Sequence, residues 1–139
     1  MAKTPTWATE LIERVCSECE RPVPPVVQWQ RGTRRGYSGR AWSGKKIHIR
    51  VGPKTPRWEQ KLVVLHELAH YMLPTGEHHN ERFWTLAFLF YRRYGVPVRK
   101  ALANERTYRL TAVAGYKRSL ELVKAASPSS SSPEMSEGR

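Results

Sequence analysis

Residues 61–74 read KLVVLHELAHYMLP, a greasy run with His66, Glu67 and His70 set into its middle. Between Leu62 and Leu73 the pattern is apolar nearly all round, which marks a helix buried on most sides rather than one lying on a surface. An unpaired carboxylate is costly in such a place, and an imidazole needs partners for both of its nitrogens. The spacing says what could hold them. Residues four apart lie one turn above each other, so His66 and His70 project from the same side and can bind one cation together. Glu67 falls on the flank of that side, within reach of a water on the cation without being a ligand itself. This is the H-E-x-x-H arrangement, whose usual metal is Zn²⁺ and whose glutamate is a general base.

Two histidines leave a zinc site open, so a third protein ligand must come from outside the helix. Downstream, GEHHNERF offers His78 and His79, and Asn80 is suited to cap a following helix. That places His79 at a junction able to face back toward the motif. We expect His79 as third ligand ahead of His78, with Glu105 or another distant carboxylate as the remaining option.

Outward from the motif, TPRW at 55–58 repeats the opening of TPTW at 4–7. In each, a threonine suited to capping precedes a proline suited to the first helical position. Helices are predicted over 5–16 and 56–73, the second stopped by Pro74 and Gly76. A third should start near Asn80, carry Phe83, Ala87, Phe90 and Tyr94 on its core face, and end at Gly95. Helical material continues from Val98 to about 125 with a break near Asn104, its apolar face including Leu102, Leu110, Val113, Leu120 and Val123. Between 26 and 51 the runs VVQWQ, GYSGRAW and KKIHIRV are β-rich and separated by glycine-rich basic connectors. In the last, Ile47, Ile49 and Val51 alternate with His48 and Arg50, as a strand with one buried face should. The expected fold class is α+β: a small domain over 1–126 with an N-terminal helix, a mostly antiparallel three-stranded sheet, the motif helix and further C-terminal helices. The Ser/Pro-rich stretch 127–139 lacks the apolar content to offset its ordering entropy and is expected to be a disordered tail.

Lys and Arg total 24 against 12 acids, a formal charge of +12, and all the acids are glutamates. Such an excess favours polyanionic or acidic partners. Seven basic residues (Arg31, Arg34, Arg35, Arg40, Lys45, Lys46 and Arg50) are interleaved with Tyr37 and Trp42, the mixture a nucleic-acid surface uses for phosphate contact and base stacking, although a solvated hairpin pair on a basic protein is the leading reading of the same stretch. No apolar stretch has the length of a membrane span or the form of a signal peptide's core, so we expect a cytoplasmic protein without a membrane partner. Cys16 and Cys19 are too few for a disulfide framework and have no second pair with which to close a zinc site; free thiols at a helix end are expected, with a shared or intermolecular metal site as the alternative.

HELAH followed shortly by HNERF resembles the zincin metallopeptidases of the SprT-like and related small-protease group, in which H-E-x-x-H is completed by the histidine of an H-G-x-x-F element. By that resemblance His66, His70 and His79 are the metal ligands, Glu67 the catalytic residue and Phe83 an apolar anchor. Asn80 stands where those proteins tend to have glycine, and both residues cap helices well. The likeness covers residues 62–83 and implies zinc-dependent hydrolysis of a protein or peptide substrate. In that group the sheet's edge strand pairs with extended substrate, which points to KKIHIRV and to Ile47, His48 and Ile49 as substrate-binding residues. Tyr71, Arg106 and Tyr108 are open alternatives for steadying the oxyanion. Two further readings stand beside this one: a protease acting on nucleic-acid-bound proteins, and a zinc-stabilised binding module without turnover.

Overall fold

The computed structural model describes residues 3–24, 26–31, 38–42, 46–51, 54–73 and 79–126; within the strands, the side chains described are those of Val27, Trp29, Ile47, Ile49 and Val51. Along these residues the chain forms α1 (Thr6–Glu18), β1 (Val26–Arg31), β2 (Ser38–Trp42), β3 (Lys46–Val51), α2 (Arg57–Met72), α3 (Glu81–Tyr94), α4 (Val98–Asn104) and α5 (Arg109–Ala126). The predicted tail, 127–139, lies outside the described residues, as do His78 and most of the basic connectors.

α2 is the central element, in contact with β2, β3, α1 and α3. Its run Leu62, Val63, Val64 and Leu65 is buried on successive faces, which a helix tolerates only when other elements surround it. α1 presents Ala8, Leu11, Ile12, Val15 and Cys16 to the core at helical spacing. It is tied to the sheet by an edge-on contact of Trp7 with Trp29. α3 buries Phe83, Ala87, Phe90 and Tyr94 as its spacing predicts, together with Trp84, Phe88 and Tyr91, because it packs on α2 and on α5 at once. Gly95 ends it in the left-handed region at φ 90°, where glycine escapes the Cβ penalty. The Lys61 ammonium donates to the Tyr94 carbonyl at 3.2 Å, placing a cation at that helix's negative end.

Three expectations are corrected. The α+β fold with a mostly antiparallel sheet gives way to a helix-dominated one: among the described residues five helices supply most of the buried core, and the strands form a small mixed sheet. Its order is β1-β3-β2, with β1 parallel to β3 and β2 antiparallel to it. Alternation in β3 does set its faces, and Ile47, Ile49 and Val51 are buried. A period of two says nothing, however, about which neighbour a strand pairs with or in which direction. The threonine caps are also absent. Pro5 and Pro56 themselves occupy the N-cap positions without a side-chain cap, their carbonyls accepting the first helical N–H bonds at 3.0 Å.

The third correction concerns α5, whose buried residues are Ala112, Gly115 and Ser119, while Leu110 is 87% exposed and Val123 41%. Its inward face is chosen by proximity to α3. A Cβ on Gly115 would sit 2.3 Å from Trp84 Cβ and 2.7 Å from the Thr85 nitrogen, so the two helices meet where only small side chains fit. Among the described residues no helix is long and apolar enough to cross a membrane.

Candidate metal centre

One turn of α2 separates His66 from His70, whose ring centroids stand 5.1 Å apart. The third ring is supplied by His79, in the bend just before α3. Asn80 caps that helix as its residue type suggests, its Oδ1 accepting from the Phe83 N–H at 2.9 Å. The cap turns the chain so that His79 faces α2 and Phe83 drops between the histidines. Phe83 stacks on His70 at 4.1 Å and 24°, and meets His66 and His79 edge-on at 4.9 and 5.0 Å. The apolar anchor therefore touches all three rings. Trp84 closes the back, with its ring centroid 5.6 Å from His66 and 5.8 Å from His79.

The three rings converge through Nε2. His79 Nε2 lies 3.0 Å from His66 Nε2 and 3.2 Å from His70 Nε2, and one ligand atom from each residue falls within 4.8 Å of the others. Tetrahedral bonds of 2.0–2.1 Å to one zinc ion would hold such nitrogens roughly 3.4 Å apart. A neutral imidazole has one lone pair and one N–H, so a single His79 Nε2 cannot serve two neighbouring ring nitrogens as both donor and acceptor. A cation between them resolves the conflict. Burial, reinforced by His70 and His79, holds His66 well below the usual histidine range, which keeps the ring in the neutral form a metal needs.

Glu67, next in the chain to His66, is only 2% exposed, and its Oε1 has no hydrogen-bond partner among the described residues. Burial alone pushes its carboxyl up to about 8. An orphaned buried carboxylate oxygen on the helical turn that carries two of three convergent imidazoles fits a site built for a cation and its water. A donor set of three imidazole nitrogens suits zinc.

Other expected residues fall elsewhere. Glu105 lies outside the convergent group, and its Oε1 accepts from the Tyr108 N–H at 2.7 Å. Tyr71 is buried and its hydroxyl donates to the Pro22 carbonyl at 2.7 Å, which removes it as an oxyanion group. Arg106 is exposed, while Tyr108 lies against the centre. Cys16 and Cys19 are free thiols, with burial pushing Cys16 up to about 11 and Cys19 in the same direction. The substrate role expected of Ile47, His48 and Ile49 is corrected. β3 is the middle strand, paired on both sides, so it has no free edge for an incoming peptide. Ile47 and Ile49 are wholly buried, and the His48 side chain lies outside those described.

Thr111 has no signal in the sequence, and Tyr108 is singled out there only as an oxyanion candidate, not as a partner of His79. Tyr108 stacks on His79 at 4.3 Å and 22°, and the Thr111 hydroxyl donates to the His79 carbonyl at 2.8 Å. Comparison of the chain with protein-family models, with curated proteins and with solved structures gives no match.

Proposed function

We propose that the protein is a zinc-dependent metallopeptidase in which His66, His70 and His79 hold the metal and Glu67 is the general base. The observation that carries the reading is the convergence of three imidazole nitrogens, two of them from the same helical turn as Glu67, a buried carboxylate with an unpartnered oxygen. The likeness of HELAH and HNERF to the SprT-like zincins points the same way. A bound zinc ion supplies Lewis acidity, polarising a scissile carbonyl and acidifying water.

The chain's own residues supply the rest. Glu67 takes a proton from the attacking water as the new C–O bond forms. It returns that proton to the leaving nitrogen as the C–N bond breaks, and ends as the carboxylate it began as. Burial alone favours its protonated form, whereas the charge of a cation at the three histidines restores the carboxylate. Phe83 and Trp84 exclude water from the back of the ligand rings and hold their planes.

The decisive experiment pairs metal analysis with cleavage of an unstructured protein. Wild type should carry one zinc per chain and cut the substrate. Glu67→Gln should keep the zinc and lose about 10²-fold or more of the rate, the order expected for loss of a general base. Zinc retention with unchanged cleavage would remove Glu67 from the chemistry, and zinc retention without cleavage in wild type would leave a metal-stabilised module.

A further inference from the structure

His66 and His70 are aimed by the helix that carries them, but His79 is not. It sits in a bend before α3, outside any regular element; the Asn80 cap and the Phe83 and Trp84 rings bring it toward α2, and the rest of its orientation is supplied from elsewhere. Two contacts from the corner between α4 and α5 reach it. The Thr111 hydroxyl donates to its carbonyl at 2.8 Å, fixing the main chain. The Tyr108 ring lies nearly parallel to the imidazole, at 4.3 Å and 22°, fixing the plane of the side chain. The lone pair on Nε2 lies in the plane of the ring, so a partner stacked on the face restrains rotation without covering the coordinating atom.

Tyr108 is itself held. Its N–H donates to the Glu105 carboxylate at 2.7 Å, and its carbonyl accepts from the Ala112 N–H at 2.8 Å as α5 begins. Although it touches a ligand of the proposed centre, Tyr108 is 42% exposed as a residue and belongs to no part of the buried core. An aromatic ring left partly in solvent, stacked on one ligand, has little to contribute to folding and much to contribute to aiming that ligand.

We propose that Tyr108 and Thr111 are positioning residues for the third metal ligand, so that the affinity of the centre for zinc is set from the α4–α5 corner. The inference rests on the metal-binding half of the proposed function, and it concerns affinity rather than turnover. Partners that orient a ligand typically cost 10–100-fold in metal affinity when removed.

The test is competition of the full chain for zinc against a chromophoric chelator, with Co²⁺ absorption as a second measure of ligand geometry. Tyr108→Ala should weaken zinc binding roughly 10- to 100-fold and alter the cobalt spectrum, with no matching change in the thermal midpoint of the chelated protein. Tyr108→Phe, which keeps the ring, should bind like wild type. Thr111→Val should weaken binding about 10-fold and Thr111→Ser should restore it, a pair that stands even if Tyr108→Ala does not fold. Wild-type affinity in both Tyr108→Ala and Thr111→Val would overturn the inference alone. A loss in Tyr108→Phe equal to that in Tyr108→Ala would overturn the stacking account. Failure of the wild-type chain to bind zinc would bring down the inference and the metal reading together.

Discussion

Glu67 makes the protein's stability depend on pH in a direction that can be worked out. In the unfolded chain its carboxyl titrates near 4.5, and in the folded protein burial moves it to about 8. Between those values the unfolded state has lost a proton that the folded state keeps, so this residue's contribution to stability falls as pH rises through the window and levels off above it. His66, held well below its usual range, works in the opposite sense below about 6.5, which is why the measurement must be a difference. With a chelator present, Glu67→Gln should gain on wild type in thermal midpoint steadily from pH 4.5 to pH 8. A gap that stays constant across that range would contradict the burial of Glu67. His66, Glu67 and His70 were readable because one helical turn converts sequence spacing directly into geometry. His79 was reachable through the capping chemistry of Asn80, an equally local signal. The contacts of Tyr108 and Thr111 with His79 were not, since they close across 29 and 32 residues and depend on where α5 lies.

At the level of elements, two substitutions probe how the centre is framed. The Asn80 side chain satisfies an otherwise open N–H at the start of α3. Asn80→Ala should lower unfolding free energy by about 1 kcal/mol in urea titration, and Asn80→Gly by only a few tenths. At the α3–α5 crossing, Gly115→Ala would drive a methyl into Trp84 Cβ and backbone that cannot step aside. We expect a loss of about 1–3 kcal/mol. Because Trp84 also packs on His66 and His79, the same change should weaken zinc binding. The boundaries of α3 could be read from Asn80 and Gly95, residues with definite roles at helix ends. The orientation of α5 could not: its large apolar residues suggested one face, whereas the inward positions are Ala112, Gly115 and Ser119. Closeness of approach selects small side chains, and hydrophobic periodicity is blind to it.

Across the whole molecule, the three histidines draw together α2, the start of α3 and, through Tyr108 and Thr111, the start of α5. A cation at that meeting point should therefore stabilise the fold as a unit. Zinc at 100 times its dissociation constant should add about 2.7 kcal/mol to unfolding, and a chelator should remove it. A thermal midpoint indifferent to both would mean that no metal binds the folded state preferentially. The helix-dominated architecture was only half legible, because each segment's own pattern marks its type while strand order and direction are decided by partners distant in sequence. That order has a consequence for biosynthesis. β1 and β2 leave the ribosome before the strand that lies between them, and neither has its neighbour until Lys46–Val51 emerges. β2 can fold back on that newcomer across a gap of three residues, whereas β1 must be recruited from a distance. The nascent sheet thus waits on its own middle, and α2, the next helix to appear, arrives as that wait ends.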